Sequence, residues 1–124
     1  MESTAAAPVV QTTVSDHIAL VTIANPPVNA LSAAVRQGLQ QAITALSGNA
    51  DVHAIVITGS GANFIAGADI REFGLPPQEP SLPDVCLQIE AADKLVIAAI
   101  HGAALGGGLE IALAAHYRVA VETA

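Results

Sequence analysis

Positive charge is scarce in this chain. Its fixed cations are Arg36, Arg71, Lys94 and Arg118, set against eleven acidic residues for a net charge of −7 over 124 residues. No basic surface can neutralise a run of phosphates, which excludes nucleic acid as a partner. Long apolar runs are missing too. Hydrophobic residues make up 52% of the chain, but they fall in short stretches of Ala, Val, Ile and Leu that never approach the ~18–20 residues of a membrane span. The opening "MESTAAAPVVQTTVSDH" has no basic start followed by an apolar core, so no secretory signal is expected. The single cysteine, Cys86, cannot form an internal disulfide; it reads as a small, inert, buried or half-buried residue in a reducing compartment.

Several kinds of chemistry are absent as well. His17, His53, His101 and His116 lie far apart with no close His/Cys/Asp pair at ligand spacing, so no metal site is expected. No G-x-S-x-G turn presents a nucleophilic serine. "GSGANF" begins like a dinucleotide fingerprint but has Phe64 in place of the third glycine, and no second strand ends in an acid about 20 residues later. "GAALGGG" lacks the Lys and Ser/Thr of a P-loop. Carboxylates and backbone amides are what remain.

The hydrophobic pattern gives an α/β order within one globular domain or part of a larger one. Residues 1–16 read as a loose start. "HIALVTIA" (17–24) is a strand stopped by "NPP". Val35, Leu39, Ile43 and Leu46 recur at helical spacing, with Ser32 placed to cap the start and Gly48 or Asn49 the end. "AIVIT" (54–58) and "VIAAI" (96–100) read as buried strands covered on both faces, "GLPPQEPSLP" (74–83) as a loop, "DVCLQIEAADKL" as a helix opened by Asp84, and "YRVAV" as a last strand. Strands alternating with helices are most economically built around a largely parallel sheet. Glycine-rich turns follow two of these strands, around Gly67 and Gly107, and such turns can face one pocket.

The second turn, "HGAALGGGLEIALAAHYR" (101–118), begins a helix with three glycines in a row. Each costs a helix interior about 0.5 to 1 kcal/mol relative to alanine, so bare backbone must be wanted there. One reading is an oxyanion hole. The first amides of a helix are unpaired, carry the positive end of its dipole, and suit an oxygen that gains negative charge. Glu110, three residues beyond Gly107, would put an acid or base beside that mouth. The other reading is a tight strand-to-helix packing site with a capping glutamate.

"PPVNALS", "FIAGADIREF" and "HGAALGGGLEIALAAHYRVA", in this order over most of the chain, resemble the enoyl-CoA hydratase/isomerase (crotonase) family, and most closely the N-terminal part of the bifunctional hydratase/3-hydroxyacyl-CoA dehydrogenases of fatty-acid β-oxidation. The resemblance implies an α/β, crotonase-like spiral of ββα units, of which residues 17–124 would be the N-terminal half of a domain. It implies that the amides of Ala68 and Gly107 hold the thioester oxygen, and that Glu110 is the first of two catalytic glutamates. Ala66 would meet the adenine of coenzyme A, and Val28, Asp69, Ile70 and Gly106 would line the CoA and acyl site. Arg71 stands where a lysine near the CoA head is common, or is a solvated helix arginine; Asp69 also reads as a cap for a short helix. Members specialised for moving a double bond commonly lack a glutamate at the position of Glu110, so hydration of trans-2-enoyl-CoA is favoured over isomerisation alone.

Coenzyme A then enters as part of the substrate, no metal is needed, and NAD belongs only to a downstream dehydrogenase. Partners implied are the acyl-CoA thioester and either a trimer-type homo-oligomer or a fused dehydrogenase domain. The setting is cytoplasmic in a bacterium, and peroxisomal or mitochondrial in a eukaryote. The family's second glutamate lies downstream of the "HYRVA" strand and has no counterpart among these residues. The 124-residue chain is therefore expected to be inactive alone, with apolar faces that favour association, and the alternative reading is a catalytically incomplete fragment that binds acyl-CoA or associates with other chains.

Overall fold

A computed structural model describes residues 8–124. Five strands, β1 (Val10–Ser15), β2 (Ile18–Ile23), β3 (Ala54–Gly59), β4 (Leu95–Ile100) and β5 (Tyr117–Ala120), form one sheet in sequential order. The β1–β2 pair is antiparallel and the other pairs are parallel. Three helices, α1 (Ala33–Ser47), α2 (Leu82–Glu90) and α3 (Gly107–Ala114), occupy the crossovers between the parallel strands. The sequence reading leaves residues 1–16 loose. Residues 1–7 lie outside the described part, and Val10–Ser15 instead pair along the full length of β2. A short polar-rich strand with little apolar alternation gave no signal, and the neighbouring strand supplies the order.

The topology decides where the core lies. Crossovers are right-handed almost without exception, so a series that always steps the same way across the sheet puts its helices on one face. Register rows on that face, Ala19–Ile55–Val96 and Val21–Ile57–Ala98, are fully buried or nearly so. Val35, Leu39 and Ile43 of α1, Val85 and Ile89 of α2, and Ile111 and Ala112 of α3 join the same core. Each Val, Leu or Ile among them contributes on the order of 1.5–3 kcal/mol by leaving water. On the opposite face Ile18, Leu20, Leu95, Tyr117 and Val119 are exposed, while Val56 and Thr58 are half-buried. Strands β3 and β4 are thus covered on one face, not on both as their continuous apolar sequences suggested.

The helix boundaries follow from local chemistry. Ser32 Oγ accepts from the Val35 amide and begins α1, and Gly48 ends it. The second helix starts two residues before the expected Asp84. Ser81 caps it, Asp84 closes a reciprocal capping box, and Pro83 fits the first turn, where its missing N–H has no partner to lose. It ends at Glu90, short of the expected Leu95.

Candidate active site

The turn after β3 runs through Asn63–Gly67 into a 3-10 turn, Ile70–Glu72, and two isolated bridges tie it to its neighbours, Leu31 to Ala68 and Ile65 to Ala104. The turn after β4 reaches α3 through Gly106, whose φ of 54° and ψ of −121° lie outside the range of ordinary residues. These two turns meet. A methyl on Gly106 would lie 3.8 Å from the Cα of Gly67, and one on Gly107 would press 2.7 Å from Leu31 Cδ2, the side chain of the residue bridged to Ala68. Among the described residues neither the Ala68 nor the Gly107 amide has a backbone acceptor. Ala68 is exposed and Gly107 half-buried.

The three glycines of the run differ by position. A methyl on Gly108 would lie 2.7 Å from Ile65 Cβ and closer still to the Ile65 carbonyl oxygen, which makes it a packing glycine. Gly106 and Gly107 instead leave donors open at the mouth of α3. Glu110 does not cap that helix, whose first residue has no side-chain cap; its amide donates to the Gly106 carbonyl at 3.1 Å and its side chain is exposed.

Beside the amides lies a cavity of about 460 Å³ walled by Pro26, Pro27, Val28, Ala66, Ala68, Asp69, Ile70 and Arg71 with Asn25 and Ala30. It gathers six of the sequence-predicted residues: Val28, Ala66, Ala68, Asp69, Ile70 and Arg71. Gly106, Gly107 and Glu110 are not on its wall; Gly106 comes close to Gly67, between the wall residues Ala66 and Ala68, and Gly107 packs against Leu31 and Leu82. A depression of similar size between β1 and α1 shares no residue with this one and has no titratable side chain in its lining.

Asp69 is buried and fully engaged. Its carboxylate accepts from the Arg71 amide at 3.0 Å, which caps the 3-10 turn, and from the Arg71 guanidinium at 2.7–3.2 Å. Hydrogen bonds from the Arg71 side chain, then its amide, lower the Asp69 carboxyl to about 2. Arg71 is itself held charged by that pair, with its side chain 77% exposed at the rim.

Two further residues, not singled out from sequence, brace the site. Glu72 Oε2 accepts from the Ala33 amide at 2.8 Å, at the start of α1, and Glu72 Oε1 lies 3.6 Å from Arg36. Arg36 then reaches the carbonyls of Pro80 and Gln78, so one cation pins the proline-rich loop to α1. On α2, burial and the nearby Glu110 and Glu90 carboxylates push the Cys86 thiol up, and its Sγ donates to the Glu110 carbonyl at 3.7 Å. It is half-buried, within the expected range.

Comparison with known proteins bears on the family and the fold. Residues 13–124 match the enoyl-CoA hydratase/isomerase family. The peroxisomal bifunctional enzyme of Danio rerio is 49% identical over 107 residues, covering 86% of this chain and 15% of that protein. A "Probable enoyl-CoA hydratase" of Bacillus subtilis (strain 168) is 45% identical over 118 residues, covering 90% and 46%. Among solved structures, Pseudomonas aeruginosa DspI superposes with a TM-score of 0.86 at 33% identity over 98% of this chain and 53% of its own. The enoyl-CoA hydratase of Bacillus anthracis gives 0.85 at 30% over 94% and 48%. The chain thus spans about half the length of these structures and of the Bacillus subtilis relative. Its sheet and three one-sided helices are a partial crotonase fold, and the chain belongs to the enoyl-CoA hydratase/isomerase family.

Proposed function

We propose that this chain supplies the thioester-binding part of an enoyl-CoA hydratase that adds water to a trans-2-enoyl-CoA in fatty-acid β-oxidation. The observation that carries the reading is the pair of acceptor-free amides, Ala68 and Gly107, on two turns that meet beside an apolar cavity. When the oxygen of water adds to C3, negative charge moves to the thioester oxygen as an enolate. Two fixed N–H donors there favour the transition state over the ground state, and loss of one such donor typically costs about 2.7–4 kcal/mol of that stabilisation. Glu110, unpaired with any cation among the described residues, is the acid/base that takes a proton from the attacking water; the enolate then collects a proton at C2.

Val28, Ala66 and Ile70 wall the CoA and acyl site, Gly106 borders it beside Gly67, and Arg71 offers its exposed guanidinium to the CoA head. Hydration is redox-neutral, so NAD would serve only a fused dehydrogenase. We place the activity in the peroxisome of a eukaryote or the cytoplasm of a bacterium, and the protein in either a trimeric or a fused assembly.

One observation favours a second reading, a chain that binds acyl-CoA without turning it over. Asp69, the one acid on the cavity wall, is committed to Arg71, so Glu110 has no free carboxylate partner on that wall. Hydration of crotonyl-CoA, followed by loss of the conjugated enoyl absorbance, tests both. Turnover that disappears in Glu110→Gln supports the hydratase reading, and turnover indifferent to that change refutes the role of Glu110. Saturable thioester binding without turnover leaves the second reading standing.

A further inference from the structure

Three loops meet behind the two amides, and two asparagines join them. Asn29 is buried at 3% exposure and sits at φ 59°, in the left-handed region that glycine and asparagine enter most readily. Its Oδ1 accepts from the Asn25 amide at 2.9 Å, and its Nδ2 donates to the carbonyls of Ser60 and Asn63, both at 2.9 Å. Asn63 Oδ1 in turn accepts from the Ala103 amide at 3.0 Å. The Ala103 carbonyl accepts from the amides of Phe64 and Ile65, closing the circuit between the turns after β3 and β4. There is no slack around it. A methyl on Gly59 would lie 2.8 Å from Asn29 Nδ2, and one on Gly102 would lie 3.0 Å from Asn63 Oδ1 while overlapping the Ala62 carbonyl.

Each loop leads to the site. The segment from Asn25 carries Leu31, which bridges to Ala68; the segment from Ser60 runs into Ala68 itself; and the segment from Ala103 runs into Gly107. Neither asparagine is part of the cavity wall. We infer that Asn29 and Asn63 are positioning residues that fix the separation of the Ala68 and Gly107 amides, so that one carbonyl oxygen can accept from both; the inference rests on the reading of those amides given above. Two donors aimed at one point are useful only if their spacing is held to a fraction of an ångström; the buried Asn29, bonded through both ends of its amide, holds backbone more tightly than apolar packing does, and the half-buried Asn63 adds its bond to Ala103.

The test uses butyryl-CoA carrying ¹³C at its carbonyl, a saturated thioester that cannot be hydrated, with free CoA as the companion probe. In the native chain the bound carbonyl stretch should move to lower frequency by hydrogen bonding. Asn63→Ala and Asn29→Gly should lose that shift and bind butyryl-CoA about tenfold more weakly, the worth of one or two ordinary hydrogen bonds. Affinity for free CoA should stay within about twofold, since the cavity wall is untouched. Asn63→Asp keeps the oxygen that accepts from Ala103 and should keep the shift. A full shift in Asn63→Ala, with native circular dichroism, overturns the inference alone. No binding or no shift in the native chain overturns the amide reading and the inference with it. Should Asn63→Ala fail to fold, Asn29→Gly, which suits the left-handed backbone, decides by the same readout.

Discussion

Replacing Gly108 by alanine sets two effects of opposite sign against each other. On helix propensity alone the change should stabilise α3 by about 0.5–1 kcal/mol. The tertiary structure opposes it. The new methyl would sit 2.7 Å from Ile65 Cβ and overlap the Ile65 carbonyl oxygen, while ordinary contact begins at 3.4 Å. Relief requires α3 and the Ile65 turn to part by about an ångström, and forcing extra volume into a packed core costs roughly 1–3 kcal/mol. Because the obstacle is backbone that also accepts from the Leu105 amide, the upper end of that range applies. The net expectation is a loss of about 2 kcal/mol, read as a fall in urea midpoint at unchanged slope. Gly48→Ala is the paired control. That residue has ordinary αR backbone and its nearest prospective contact is 3.8 Å away, so alanine there should be neutral or stabilise by about 0.4–1 kcal/mol. A Gly108→Ala chain as stable as the Gly48→Ala chain would refute the packing account of the third glycine.

Asp69 gives a pH prediction. Its folded carboxyl is lowered from 3.8 to about 2, so the Asp69–Arg71 contribution is complete above about pH 4 and fades as the pH falls through 2. An NMR titration of the Asp69 carboxyl with a midpoint near 4 would contradict the pairing, and Asp69→Asn should remove this part of the acid sensitivity. His116 bridges two elements. The Val96 amide donates to its Nδ1 at 3.0 Å and its Nε2 donates to the Glu90 carbonyl at 3.1 Å, so the proton sits on Nε2. His116→Ala strands the Val96 amide at the start of β4 and should cost about 1–3 kcal/mol in urea unfolding, against under 0.5 kcal/mol if the bridge is ornamental. Cys86, with its thiol pushed up by burial and two carboxylates, should be alkylated by iodoacetamide at pH 8 more slowly than a free cysteine peptide; an equal or faster rate would contradict that environment.

Much of this molecule is written in local sequence. The apolar spacing of Val35, Leu39, Ile43 and Leu46, bracketed by Ser32 and Gly48, specifies α1 because its cap and its buried stripe coincide. The β-branched runs specify β3 and β4, and the glycine run marks bare backbone around Gly107, whereas Ala68 and the cavity residues are named only through the family resemblance. Tertiary structure decided the rest. Polar β1 is ordered by pairing with β2 and by Val10 packing against α1. One-sided crossovers leave half of the sheet uncovered although β3 and β4 look doubly buried in sequence. The three glycines look alike until Ile65, Leu31 and the turn at Gly67 assign each a different neighbour. Asn29 and Asn63 are invisible to periodicity because, apart from Asn25, their partners lie 31 to 40 residues away. Sequence records the propensity of each segment, whereas the meeting of the turns after β3 and β4 depends on contacts between segments that no local pattern encodes.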